Sequence, residues 1–244
     1  MAARLLLIED DAAIARFVEL ALEELPDHDA AAPPVALHLV RSVAAAREAL
    51  VAGGWALVIS DLMLPDGSAE LLLAEGHARA AGAPPWVVFS AGVHDGRRPL
   101  LAAQGVACML RKPVGLEELL DTIASLLRGA AAPAATAPAR AAGDPVQTHF
   151  GGDRAMYESF RAGCIQRFGT DVAQGDAAVA AGDAAALRPV VHGLKAVLEL
   201  IGEPALACQA RALETAAEQG ELAAPAWAVL ARALVDLGAV RPSG

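Results

Sequence analysis

Four short stretches of this 244-residue chain carry side chains that could do chemistry together. Glu9, Asp10 and Asp11 follow the apolar run Leu5 to Ile8, Asp61 follows Ala56 to Ser60, Ser90 closes Val87 to Ser90, and Lys112 follows Ala107 to Leu110. Carboxylates gathered so densely repel one another unless a cation neutralises them, and a hard divalent ion such as Mg2+ prefers oxygen donors of this kind. A carboxylate pocket holding Mg2+ and an ammonium group is suited to receive an anion. A fifth feature lies far along the chain, where Lys195 stands three residues after His192. Helical spacing puts the two on one face, and Gly193 and Ala196 leave the imidazole open to approach. Neutral histidine is a competent nucleophile near physiological pH.

The elements that must position these residues are of two kinds. In the first half, five apolar runs (Leu5 to Ile8, Val35 to Val40, Ala56 to Ser60, Val87 to Ser90, Ala107 to Leu110) alternate with helical patterns. Ile14, Phe17, Val18, Ala21, Leu22 and Leu25 recur at helical spacing, and the segment from Leu116 to Leu127 does likewise. Strict alternation predicts βαβ units and a doubly wound parallel sheet buried on both faces. Ligands of such α/β sheets bind at the carboxyl ends of the strands, where Glu9, Asp10, Asp61, Ser90 and Lys112 all stand. In a flavodoxin-like order, strands one, three, four and five are neighbours and bring these groups together.

The second half offers no strand candidates. Helical periodicity runs over Met156 to Phe168, Val172 to Ala181, Ala184 to Ile201, Pro204 to Gln219 and Pro225 to Leu237, which predicts an all-α bundle. Asp183 suits an N-cap, and Pro204 and Pro225 suit first turns. Pro189 falls inside the helix of His192, removes one backbone hydrogen bond and is expected to kink it. Between the halves an Ala/Pro-rich run with Pro133, Pro138 and Pro145 reads as a flexible linker. The expected division is therefore residues 1–128, linker 129–147, and bundle 148–244.

Charge narrows the function classes. The chain carries a net −10, and neither half hides a basic surface: 17 acidic residues face 10 basic ones over residues 1–128, and 11 face 8 over 148–244. Nucleic-acid binding needs a basic stripe, so it is disfavoured. No apolar run reaches the roughly 20 residues that span a bilayer. Met1 to Arg4 leads into the acidic cluster instead of a secretory leader, which predicts a cytoplasmic protein without membrane insertion. Cys108, Cys164 and Cys208 are too scattered for a disulfide framework or a zinc site and read as ordinary buried thiols. His28, His38, His77, His94 and His149 lack any setting like that of His192 and read as structural or solvent-facing. The chain has 17 arginines but only two lysines, Lys112 and Lys195, both in the candidate sites.

Four segments carry a resemblance. Leu7-Ile8-Glu9-Asp10-Asp11, Ser60-Asp61-Leu62-Met63-Leu64-Pro65-Asp66-Gly67, Phe89-Ser90-Ala91-Gly92 and Leu110-Arg111-Lys112-Pro113 resemble, in order and spacing, the motifs of two-component response-regulator receiver domains over about residues 3–128. The resemblance implies that Asp61 takes a phosphoryl group from a phosphohistidine. It implies that Glu9 and Asp10 hold Mg2+ together with Asp61 and the backbone carbonyl of Met63, that Ser90 hydrogen-bonds the phosphoryl group, and that Lys112 pairs with it. It also implies a small residue at Ala91 and a cis Lys112-Pro113 bond, and it places Met109 where such domains usually have an aromatic.

The pattern around His192, with Ala180 to Asp183, Leu206-Ala207 and Leu213-Glu214, is similar to histidine-containing phosphotransfer (HPt) domains over about residues 148–240. This implies phosphorylation of His192 with Lys195 as electrostatic helper, Ala196 standing where glycine is common. The implied partners are a histidine kinase or a phosphorylated histidine phosphotransfer domain for Asp61, and a partner receiver domain for His192. The chain would then be a phosphotransfer signalling protein with Mg2+-dependent self-catalysed transfer, not a turnover enzyme. In a second reading the bundle is a partner-binding output and His192 is never phosphorylated. A third, a Mg2+-dependent hydrolase acting through Asp61, lacks a second carboxylate placed as general acid.

Overall fold

The computed structural model describes residues 2–90, 95–130 and 143–239. Most of the expected linker, including Pro133 and Pro138, lies outside them. The described residues form two compact units. The first holds those up to 130 with Thr148–Gly151, and the second Gly143–Gln147 and those from Gly152 onward.

In the first unit the chain runs β1 (Ala3–Ile8), α1 (Ala12–His28), β2 (Val35–Val40), α2 (Val43–Ala52) and β3 (Leu57–Ser60). It continues through β4 (Met63–Leu64), β5 (Gly67–Ser68), α3 (Glu70–Ala74), β6 (Trp86–Ser90), α4 (Arg98–Ala103), β7 (Val106–Arg111) and α5 (Leu116–Leu127). Five strands form one parallel sheet in the order β2-β1-β3-β6-β7, the flavodoxin-like order expected. Alternate strand residues sort to opposite faces. Leu6, Ile8, Val58 and Val88 pack with Val43, Ala46, Leu72, Leu73 and Leu101 from α2, α3 and α4. Leu5, Leu7, Ile59, Val87 and Phe89 are left for the other side, where α1 and α5 lie against each other. Two short elements add to the expected pattern. β4 and β5 pair as a two-residue antiparallel ribbon just after Asp61, and the Leu-Pro-Asp-Gly turn between them places Gly67 at φ 142, a backbone region that disfavours a Cβ.

Helix α6 (Pro145–Phe150) is divided between the two units, and the second unit is helical, built of α7 (Arg154–Ala181), α8 (Ala184–Leu200), α9 (Pro204–Glu218) and α10 (Ala224–Ala239). Contacts run α7 to α8, α8 to α9, α9 to α10 and α10 back to α7, closing a four-helix ring. The segments Met156 to Phe168 and Val172 to Ala181, expected as separate helices, are one 28-residue helix. Gly169 weakens a helix without ending it, and the Arg167–Asp171 ion pair at 3.6 Å straddles the join. The real break comes at Gly182, left-handed at φ 69, after which Asp183 caps α8 by accepting from the Ala186 amide at 2.9 Å. Pro189 sits within α8 and the helix continues through it to Leu200.

The α7–α10 contact depends on a missing side chain. A Cβ on Gly175 would come within 2.0 Å of the Trp227 ring, which is buried and tied by its Nε1 to Asp176 Oδ1 at 2.8 Å. In an exposed helix, glycine to alanine gains about 1 kcal/mol. Here overpacking reverses the sign, and Gly175→Ala is expected to cost roughly 2 kcal/mol in urea denaturation. Equal or greater stability of the variant would contradict this packing.

Candidate functional sites

The first site is assembled by backbone pairing that runs one residue beyond the strands. The Glu9 amide donates to Val40 O at 3.0 Å, the Asp61 amide to Ile8 O at 2.9 Å, and the Lys112 amide to Ser90 O at 3.2 Å. Each chemical residue is thus pinned to the carboxyl end of a neighbouring strand. Lys112 Nζ donates to Glu9 Oε2 at 2.5 Å and to Asp61 Oδ2 at 2.6 Å, and all three side chains are buried. The Lys112 ammonium also lies 5.1 Å from the centre of the Phe89 ring. The other Asp61 oxygen, Oδ1, accepts from the amides of Leu62 at 2.5 Å and Met63 at 3.2 Å. Ser90 is buried at the end of β6, while Ala91, Gly92 and His94 lie outside the described residues. The Lys112-Pro113 bond is cis. Met109 is half-buried against the core formed with α2, α3 and α4.

One ammonium does not balance the carboxylates beside it. Burial pushes the Glu9 carboxyl up to about 8 despite Lys112, and burial likewise raises that of Asp10. Burial works against the charge on Lys112, but Asp61 and Glu9 outweigh it and raise the ammonium's pKa. Glu9, Asp10, Asp61 and the Met63 carbonyl are an all-oxygen donor set in which burial pushes the Glu9 and Asp10 carboxyls toward their neutral forms, so in chemistry they fit a hard divalent cation that would take the place of those protons. In the present arrangement no three acidic, histidine or cysteine side chains among the described residues surround one point.

Two neighbouring acids have other work. Asp11 caps α1, its Oδ1 accepting from the amides of Ala13 at 2.7 Å and Ile14 at 3.0 Å. Asp66, which the sequence offers only as a turn residue, ties the loop after Asp61 to α2. Its two oxygens accept from Val43 N at 2.7 Å and Ala44 N at 2.9 Å, and these bonds, that from Ala44 foremost, hold its carboxyl below the usual range.

The second site joins α8 to α9 through Glu214, which the sequence pattern includes only as part of Leu213-Glu214 and without a role. Glu214 Oε1 bonds His192 Nδ1, and Oε2 accepts from Lys195 Nζ at 2.6 Å. Burial alone would raise the Glu214 carboxyl, but His192 and Lys195 overturn that and hold it at about 2. An ionised carboxylate can only accept, so Nδ1 carries the proton and the neutral ring keeps its lone pair on Nε2. The His192 side chain is 15 % exposed. Lys195, expected on the same helical face as His192, is buried and paired with Glu214, and Ala196 is buried too.

The remaining candidates are structural. His28 pairs with Asp121 at 2.8 Å, His77 with Glu75 at 3.4 Å, and His38 stacks on Trp55. Cys108 and Cys164 are buried as expected, whereas Cys208 is exposed on α9.

No protein-family model and no curated protein matches the chain. Solved structures similar to it are mostly response-regulator receiver domains, aligned with its N-terminal half. A receiver domain protein from Methanospirillum hungatei JF-1 is 19 % identical over 53 % of this chain and 96 % of its own, with a TM-score of 0.46. A two-component response regulator from Clostridium difficile is 20 % identical over 52 % and 96 %, with a TM-score of 0.43. A sensor protein from Polaromonas sp. JS666 is 26 % identical over 52 % and 97 %, with a TM-score of 0.44.

The Glu214 geometry has a pH signature. A carboxyl held at about 2 in the fold against an ordinary 4.5 stabilises the folded state above about 4.5, and that contribution disappears as the pH falls toward 2. Glu214→Gln is expected to lose roughly 3 kcal/mol at pH 7 in urea denaturation, because it removes the shared partner of two buried groups. The gap from wild type should narrow steadily below pH 4.5. A gap of the same size at pH 7 and pH 2.5 would contradict the assignment.

Proposed function

We propose that the chain is a phosphorelay signalling protein in which Asp61 accepts a phosphoryl group from a phosphohistidine and His192 carries one on Nε2. The observation that supports this best is the buried Lys112 ammonium bonded to both Glu9 and Asp61 at adjacent strand ends. In the transfer, an oxygen–phosphorus bond to the Asp61 carboxylate forms as the phosphorus–nitrogen bond of the donor breaks, and its electron pair leaves with the imidazole. Glu9, Asp10, Asp61 and the Met63 carbonyl would hold Mg2+, which when bound supplies positive charge to the phosphoryl oxygens. Lys112 pairs with the same oxygens, and Ser90 donates its hydroxyl to them.

At His192 the Nε2 lone pair attacks phosphorus and the acyl oxygen of an aspartyl phosphate leaves as a carboxylate. Nothing must remove a proton, because the Nδ1 proton already sits on the far side of the ring. Glu214 stabilises the positive charge that builds on the imidazole, and Lys195 acts through Glu214 by keeping it ionised and in place. The partners are a histidine kinase or a phosphorylated histidine phosphotransfer domain for Asp61 and a receiver domain for His192, all cytoplasmic, with no nucleic acid. None of the described helices is long and apolar enough to cross a membrane.

The small exposure of His192 favours a second reading, in which the bundle docks a partner and carries no phosphate. One experiment separates the two. The full chain with Mg2+ and labelled phosphoramidate, which carries a phosphorus–nitrogen bond like that of a phosphohistidine, should take up base-labile label on Asp61 and acid-labile, base-stable label on His192. Asp61→Asn should lose the first, His192→Gln the second, and the double variant both. Label in the double variant would sink the proposal, and base-labile label alone in wild type would select the second reading.

A further inference from the structure

The α8–α9 seam is a ladder of charged pairs with His192 in its middle. Toward the N-terminus of α8, Arg188 pairs with Glu218 at 2.8 Å, and toward its C-terminus Glu199 pairs with Arg211 at 3.4 Å. Between them Glu214 holds both His192 and Lys195. Residues 188, 192, 195 and 199 on α8 and 211, 214 and 218 on α9 follow the three- and four-residue steps that keep one helical face in register.

Lys195 cannot easily serve a phosphoryl group here, because moving its ammonium would leave Glu214 buried with only the imidazole. Arg188 stands differently. It lies one turn before His192 on the same face of α8, whereas Arg211 is on the facing helix and paired with Glu199, two turns beyond His192. With Nδ1 turned to Glu214 on α9, Nε2 is at the opposite side of the ring. The Arg188 side chain is 36 % exposed and its Glu218 partner 48 %, so their pairing is weak and readily exchanged. A phosphoryl group brings more negative charge than one carboxylate and matches the planar guanidinium fork.

We propose that Arg188 is the phosphoryl-binding residue of the bundle, leaving Glu218 to pair with the phosphoryl oxygens when His192 is phosphorylated. The inference rests on the reading of His192 as a phosphate carrier and replaces Lys195 with Arg188 as the group that meets the phosphate. The exchange needs no new cation and gives up the exposed Arg188–Glu218 pair.

The test uses the full chain carrying Asp61→Asn, treated with phosphoramidate, and follows the 31P resonance of phospho-His192 through a pH titration. A guanidinium on the phosphoryl group favours its dianion. Arg188→Gln is therefore expected to raise the midpoint by roughly half a pH unit, and Glu218→Gln to lower it by a similar amount. Arg211→Gln removes the same charge on the other side of the ladder and should move the midpoint less than a third as far. All three are surface substitutions of little consequence for folding. Equal shifts in the two arginine variants, or none in Arg188→Gln, would overturn the role of Arg188 alone. Absence of the resonance, or its persistence when His192→Gln is added, would overturn the phosphohistidine reading itself.

Discussion

A buried ammonium set against carboxylates is the interaction on which each site depends. Removing an ion from water costs several kcal/mol, recovered only when close partners replace the lost hydration. The chain does this with each of its two lysines and, among the described residues, with no arginine as fully. A compact ammonium on a flexible stem reaches into a slot between carboxylates where a planar guanidinium would need more room. The proportions differ between the units. In the first, one ammonium is shared by Glu9 and Asp61, so carboxyls outnumber cations. In the second, one carboxylate is shared by Lys195 and His192, so the negative charge is already spoken for. The first arrangement can take in further positive charge, and the second can only hold an imidazole in place.

The sheet makes the first arrangement possible by fixing where its members stand. Because β1, β3 and β6 are buried on both faces, their register cannot slip without exposing apolar side chains. The amides of Glu9, Asp61 and Lys112 extend that register by one residue. Asp66 then anchors the loop carrying Leu62 and Met63, whose amides hold Asp61 Oδ1, to the start of α2. The carboxylate is therefore oriented by the fold before anything binds.

Much of this was legible in the sequence because strands buried on both faces are continuous apolar runs, and the polar residue that ends each run is where α/β sheets place their chemistry. The helical unit was less legible for a physical reason. Glu214 is 22 residues from His192 on another helix, and helical spacing relates residues within a helix but is silent on which residue faces across. The same silence left Lys195 as a companion of His192 on one helical face without showing that this face turns toward α9 and Glu214. Gly169 illustrates a weaker ambiguity, since an interior glycine costs a helix about as much as its neighbours can restore. Cys208 falls on the exposed side of α9, whose buried stripe is mostly alanine (Ala207, Ala210 and Ala217 beside Leu213), so a cysteine next to it is not marked as outer by residue type.

On the proposed reading the two sites also differ in how reactivity is chosen. At Asp61 both oxygens are engaged, one by two backbone amides and one by Lys112, so the fold decides orientation and leaves the charge balance to be completed. At His192 a single proton decides. Glu214, kept ionised by its partners, draws the proton to Nδ1 and thereby makes Nε2 the only ring atom with a lone pair to offer. An imidazole so fixed needs little exposed area, because only one edge of the ring has to be reached. What remains open is the charge that a phosphoryl group would bring to that edge. Glu214 has consumed Lys195, so on the proposed reading the compensating cation comes from the rim of the seam, where ion pairs are weak enough to be traded.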